Sequence, residues 1–402
     1  MRTVDLHERR ARLARRHRLA PPYRAHDVVD AATSLVALHG TDPATVYLSA
    51  RSRVDDMAVE DMERALYVDR SLVRHLAMRR TLWVLPREAL ASAQAGASLR
   101  VADRERRRLV ADVERAGLHR DGAGWLASAG EQVLTVLSEG GEASWADLRA
   151  AIPLLEGAIT YGEGKSWGGQ APVGPRVLTV LSGEGRIVRA TNDGAWTVAR
   201  HRWATTSSWL GREIPRETEV EGLADLVERW LRAFGPGTEA DLKWWLGTTV
   251  TAVRRALADV RAVEVDLGGR TGYLALDDLE PVGPVDPWAA LLPPLDPTTM
   301  GWYEREWYLG AHRSQVFDST GNAGPTAWWD GRVVGGWRTG DSGEVVVQLL
   351  EDVGSDGRDA LEAEAGRLTA WLAGARVPPR FPSPLSKTPV GDVDLRRSDD
   401  RS

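Results

Sequence analysis

Residues 219–276 read EVEGLADLVERWLRAFGPGTEADLKWWLGTTVTAVRRALADVRAVEVDLGGRTGYLAL. Leu223, Leu226, Val227, Trp230 and Leu231 recur at three- and four-residue spacing, so they share one face of a helix over Leu223–Phe234. Thr238 precedes a second helical run, Glu239–Leu246, and Thr249 precedes a third, Val250–Val260. Each threonine stands where a helix needs an oxygen to accept its unpaired first-turn amides. Two β-prone runs, Ala262–Leu267 and Thr271–Leu276, flank the turn Gly268-Gly269-Arg270. Three helices closed by a two-stranded hairpin is the order of a winged helix.

The same order recurs upstream, between Trp125 and Arg200. An apolar helix carries Leu126, Val133, Leu134 and Leu137, and Ser144 is positioned to cap a short second helix. A glycine-rich loop, Gly157–Gly174, leads to a third helix, Pro175–Leu181. Strands Arg186–Arg189 and Trp196–Val198 follow, joined through Asn192-Asp193-Gly194. The N-terminal third fits the plan with less regular edges: helix His26–Leu38, helix Val59–Tyr67, helix Ser71–Met78, strand Thr81–Leu85, then a long arginine-studded helix up to Ala116. Beyond Pro281 prolines interrupt regular structure. Strands resume at Ala327-Trp328-Trp329, turn at Asp330-Gly331, and continue through Arg332–Trp337 and Glu344–Leu350 to a helix, Asp359–Ala373.

These runs predict a mainly α chain with small β wings, an α+β class, built from three tandem winged-helix units and a C-terminal β-rich region. The expected segments are 1–120 (a basic N-terminal helix and the first unit), 121–215, 216–280, 281–380 (β-rich, with a closing helix) and 381–402 (a flexible tail).

The first unit holds the chemically suggestive corner. Val28, Val29, Ala32, Leu35 and Val36 lead into His39-Gly40-Thr41-Asp42-Pro43, which reads as a helix exit. A histidine, a hydroxyl and a carboxylate meet there, and histidine ordinarily titrates near neutral pH. The same residues also suit a plain structural role. Histidine complements a helix C-terminus, threonine bonds turn backbone, and Asp-Pro starts turns.

The net charge of −6 argues against nucleic acid until its distribution is considered. Residues 1–24 hold eight arginines against Asp5 and Glu8, whereas 341–364 hold eight acids against Arg358. The histidine corner lies towards the basic end. Arg12 and Arg16 of the N-terminal helix are candidates for a DNA-backbone clamp or a solvated face. Arg79 and Arg80, just before an apolar strand, are candidates for phosphate contact or plain solvated arginines. Trp337 and Arg338 are candidates for DNA contact, a stacking wedge being one use of such a tryptophan; aromatic core is the other reading.

Other chemistries are excluded. The chain has no cysteine, so disulfides, thiolate metal sites and cysteine nucleophiles are ruled out. Its eight histidines show no HxxxH or HExxH spacing, so no zinc site is expected. Gly162-Glu163-Gly164-Lys165-Ser166 ends like a P-loop, but Ile159 occupies the place of the required first glycine. No nucleophile elbow is present, and no run of about 18 apolar residues offers a membrane span. The expected protein needs no cofactor, lies in the cytoplasm, and works as a monomer on DNA without a membrane.

The three units, the corner after the first helix, Leu72-Val73-Arg74 with Met78-Arg79-Arg80-Thr81-Leu82-Trp83, and Trp328-Trp329-Asp330-Gly331 with Gly335-Gly336-Trp337-Arg338 together resemble the AlkZ/YcaQ-like winged-helix DNA glycosylases. The resemblance covers roughly residues 5–375. It implies tandem winged helices in a concave, C-shaped arc around double-stranded DNA, and removal of bulky alkylated purines, including interstrand crosslinks, in base excision repair or self-resistance to an alkylating agent. It also implies a catalytic glutamine–any–glutamine or glutamine–any–aspartate triplet; His39-Gly40-Thr41 occupies that place here. An alkylated purine is cationic and leaves readily, so what remains is to place a water beneath the sugar C1′. His39 could accept the water's proton, Thr41 could hold it, and Asp42 could stabilise the cationic sugar. The alternative is a non-catalytic winged-helix DNA-binding or regulatory protein. The third helices offer only Arg176, Arg254 and Arg255, too few for sequence readout in a groove.

Overall fold

The computed structural model describes residues 1–162 and 168–387. Their elements pack as two compact units. One combines 1–63 with the chain from 227 onward, and the other is 64–226. The expected boundaries near 120 and 215 both fall inside the second unit. The reason is strand pairing: Leu72–Leu76 joins Ile187–Asn192, so residues assigned to the first and second repeats share a sheet.

In the 64–226 unit the strands run in the order Leu82–Pro86, Leu72–Leu76, Ile187–Asn192, His201–Thr205 and Ala143–Ser144, with antiparallel neighbours. Helices Leu99–Arg115, Gly122–Gly140 and Gly174–Gly183 bury Leu109, Val113, Val133, Leu137, Val177 and Leu181 in one core. Ser144 caps helix Trp145–Ala151 as expected, accepting the Asp147 amide while the Asp147 carboxylate accepts the Ser144 amide.

Several expectations change here. Ser71–Met78 is a strand rather than a helix. Its Leu72, Val73 and Leu76 satisfy either period, and pairing with Leu82–Pro86 decides in favour of the strand. The second strand of the 187 hairpin begins at His201, beyond Trp196–Val198, because the Asn192 side chain bonds Gly194, Val198 and Arg200 backbone and ties the intervening chain into a loop. The glycine-rich loop contains its own small ladder, Ala158–Tyr161 with Gly169–Pro172. The P-loop-like residues 163–166 lie outside the described residues.

Gly96, in a π-helical turn over Gln94–Ser98, and Gly222 let two backbones meet. A Cβ at Gly96 would fall 2.7 Å from the Gly222 carbonyl carbon, and one at Gly222 would fall 2.7 Å from the Gly96 nitrogen. Neither neighbour is a side-chain end that could swing away. Gly222→Ala is therefore expected to cost about 1–3 kcal/mol by overpacking. A urea midpoint matching the parent protein would contradict the close approach.

In the other unit, helices Glu219–Phe234 (crossing the boundary), Glu239–Leu246 and Val250–Asp259 precede the hairpin Val263–Asp266/Thr271–Leu274. Thr238 and Thr249 cap the second and third helices, and Gly268 and Gly269 take the left-handed backbone of the turn. Arg2–Thr3 adds a parallel strand to the hairpin, seating Val4 on Val265 and Leu274. A second sheet, in the order Ala289–Leu292, Thr326–Trp329, Arg332–Thr339 and Val345–Leu349, packs under helix Gly354–Leu372. Its Asp330-Gly331 turn has both residues at positive φ, the conformation that asparagine, aspartate and glycine tolerate. The β content thus exceeds small wings. The tail expected from 381 holds a helical turn, Pro384–Lys387, with Leu385 buried; residues 388–402 lie outside the described residues.

Candidate active site

The histidine corner is built differently from a helix exit. Asp27 caps a short helix, Val28–Ser34, by accepting the Val29 and Asp30 amides. The chain leaves it through Val36 at φ 65°, a conformation a β-branched residue rarely adopts. His39 then ends a two-residue strand, Leu38–His39. Asp42 caps the following helix, Pro43–Arg51, accepting the Ala44 amide at 3.3 Å, with Pro43 in the first turn. The capping role foreseen for this corner is real, but it belongs to Asp42 and to the start of a helix.

His39 and Asp42 are each 6% exposed. The Thr41 amide donates to His39 Nδ1 at 3.5 Å, a long contact in which that ring nitrogen is the acceptor. The Thr41 hydroxyl is buried and has no hydrogen-bond partner among the described residues. Burial pushes the Asp42 carboxyl above its ordinary range, and the Arg380 and Ala44 amides and the Arg380 charge only partly oppose this. Arg380 closes the corner from the C-terminal segment. Its amide donates to Asp42 Oδ2 at 3.4 Å and its guanidinium to the Thr41 carbonyl at 3.2 Å. No local pattern marks Arg380 in the sequence, because its partners lie more than 300 positions away.

The base of the corner is rigid. At the far end of helix Pro43–Arg51, Arg53 and Asp296 form a fully buried ion pair, Nη1 to Oδ2 at 2.9 Å and Nη2 to Oδ1 at 2.8 Å. Ser49 donates to the same carboxylate at 2.6 Å. His17 reaches Thr298, which accepts from Arg53, and burial together with the Arg53 charge keeps that imidazole well below its usual titration range.

The proposed DNA contacts fare unevenly. Arg12 is buried and Arg16 is half-buried. Arg12 is 1% exposed and bonds Glu8, Asp278 and the Glu280 carbonyl. Arg16 bonds Asp278 and the Gly235 carbonyl. Both are engaged in packing the N-terminal helix, Leu6–Arg16, and their guanidinium groups are already matched by Asp278. Trp337 is core: it is buried and donates to the Leu292 carbonyl at 2.8 Å. Arg338 is half-buried beside Val346 and Arg358 in a groove between strand Val345–Leu349 and helix Gly354–Leu372. Arg79 and Arg80 are exposed at the tip of the Leu72–Leu76/Leu82–Pro86 hairpin, both at positive φ, with Arg80 Nε 3.0 Å from Glu105. Among the described residues no histidine–carboxylate cluster could hold a metal ion, and no helix is long and apolar enough to cross a membrane.

A family model of AlkZ-like DNA glycosylases matches residues 32–371, from the helix before the corner almost to the end of the closing helix. The chain belongs to the AlkZ-like DNA glycosylase family. This AlkZ-like chain is 28% identical over 215 residues to an interstrand DNA cross-link repair glycosylase of Streptomyces sahachiroi. That alignment spans 51% of the chain and 57% of the relative. It also shares the fold of the solved Streptomyces sahachiroi DNA glycosylase AlkZ, with a TM-score of 0.71 and 22% identity over 94% of this chain and 99% of that one.

Proposed function

We propose that the protein is a monofunctional DNA glycosylase that excises bulky N-alkylated purines, interstrand crosslinks among them, by directing water to the sugar C1′. It would serve base excision repair or resistance to a DNA-alkylating agent. The observation that carries this reading is the buried Thr41 hydroxyl, unpartnered among the described residues, between His39 and a buried Asp42 carboxylate. A buried hydroxyl ordinarily finds a partner, and a bound water would be one. Family membership supports the same chemistry.

In this reading Thr41 holds the attacking water and His39 accepts its proton. Asp42 supplies negative charge beneath the sugar as it becomes oxocarbenium-like. Arg79 and Arg80 would contact backbone phosphates from an exposed tip, and the helical units are read as winged helices on the duplex.

The test is single-turnover excision from a duplex carrying N7-alkylguanine, with a crosslinked and an intact duplex beside it. Abasic sites in the alkylated duplex alone are expected. Tight, sequence-specific binding with no abasic product would replace the enzyme with a DNA-binding regulator.

A further inference from the structure

The 64–226 unit holds a group of cations that its fold leaves unmatched. Arg74 on strand Leu72–Leu76 and Arg189 on strand Ile187–Asn192 are register partners, so both side chains leave the same face of the sheet. Trp203, the partner of Arg189 on the next strand, lies 4.9 Å beneath the Arg189 guanidinium. Arg74 donates to the Tyr67 hydroxyl. His201 begins the Trp203 strand, close enough that both arginine charges act on it.

Such a pair normally comes with carboxylates. Here, among the described residues, neither Arg74 nor Arg189 takes part in any ion pair. Arg189 Nη1 and His201 Nδ1 are buried with no hydrogen-bond partner among those residues. Burial, with Arg74 adding to it, pushes Arg189 down to about 10, so it remains a cation at neutral pH. Burial and the two arginines push His201 down to about 3, leaving a neutral imidazole that can donate from Nδ1. An unmatched buried cation opposes folding. Tyrosine and tryptophan faces compensate only part of that. Arg189 and His201 are only half-buried as residues, so the group keeps an edge towards solvent. Two guanidinium forks and one N–H on one face of the sheet, with no acid paired to them among the described residues, suit a tetrahedral oxyanion, which accepts in several directions at once.

We propose that Arg74, Arg189 and His201 form a phosphate-binding site that takes a backbone phosphate of duplex DNA. This rests on the reading of the protein as a DNA glycosylase for the source of the phosphate, and on the unit's own geometry for the site.

The test measures binding of an undamaged duplex by the full chain across a sodium chloride series. Arg189→Met removes one phosphate contact. It is expected to lower affinity roughly tenfold near 0.1 M salt and to reduce the slope of log K against log salt by about one. Because it also removes an unmatched buried charge, the variant is expected to unfold no earlier than the parent. Arg189→Lys keeps the charge and loses the fork, so its slope is expected to hold while affinity falls. Parent affinity and slope in both variants would overturn the proposal. If Arg189→Met does not fold, the lysine variant decides alone, and unchanged affinity in it counts against the site. Inorganic phosphate at fixed chloride separates the sources. If it raises the melting temperature of the parent but not of Arg189→Met, while DNA binding is unaffected, the site takes free phosphate and the DNA assignment falls. Excision is read separately: a lost slope without any excision would keep the site and remove the glycosylase reading.

Discussion

His39→Ala is expected to lower single-turnover excision of N7-alkylguanine by about 10²–10⁴-fold, the range that general-base help contributes, with duplex affinity within about twofold of the parent. The separation follows from burial. His39 is 6% exposed and projects from a corner closed by Arg380, so its removal leaves the exposed hairpin-tip arginines untouched. A loss confined to the chemical step marks an interaction made in the transition state. His39→Gln sharpens the result, since glutamine holds water without accepting a proton. It is expected to recover part of the rate lost in His39→Ala. Parent-like excision by His39→Ala would remove the base from this residue and turn attention to Asp42, whose carboxyl burial already makes more basic than usual.

Asp296→Ala is expected to destabilise the protein by about 3–5 kcal/mol, the cost of stranding one partner of a buried ion pair. Both partners are fully buried, and the carboxylate also accepts from Ser49 and the Thr298 amide. Alanine would leave the Arg53 guanidinium buried without its carboxylate and the Ser49 hydroxyl without its acceptor. The double replacement Arg53→Met/Asp296→Leu removes the charge and the void together and is expected to recover most of the loss. Urea denaturation followed by tryptophan fluorescence reads this directly. A single variant as stable as the parent would mean that water reaches the pair. Since Arg53 anchors the C-terminal end of helix Pro43–Arg51, the single variant should also blur the position of Asp42 at the other end.

Caps and turns were the legible part of this chain. Ser144, Thr238 and Thr249 were readable because a cap acts over three residues, and Gly268-Gly269 and Asp330-Gly331 because a hairpin turn is local. Failure came where distant chain decides. Leu72-Val73-Arg74-His75-Leu76 carries apolar residues at spacings that fit a helix, and only its pairing with strands on both sides makes it β. The arginines of the first helix looked solvated because Asp278 and Glu280, which hold Arg12, lie more than 260 positions away. The corner stood out in the sequence, but its element type and the approach of Arg380 did not. Arg74 and Arg189 share the same obstacle. Each is an ordinary arginine in its own strand, and only register sets them side by side.

The division of the chain also orders events during synthesis. Residues 64–226 form one unit inserted between the two halves of the other. Translation at about 5–20 residues per second delivers the insert over roughly ten to thirty seconds. Throughout that interval residues 1–63 have none of their final neighbours from 227 onward. The strand partner of Arg2–Thr3 and the acid that matches Arg53 have not yet left the ribosome. The insert, with its own apolar core, can close first. Residues 1–63 gain those later neighbours only once the chain from 227 onward arrives.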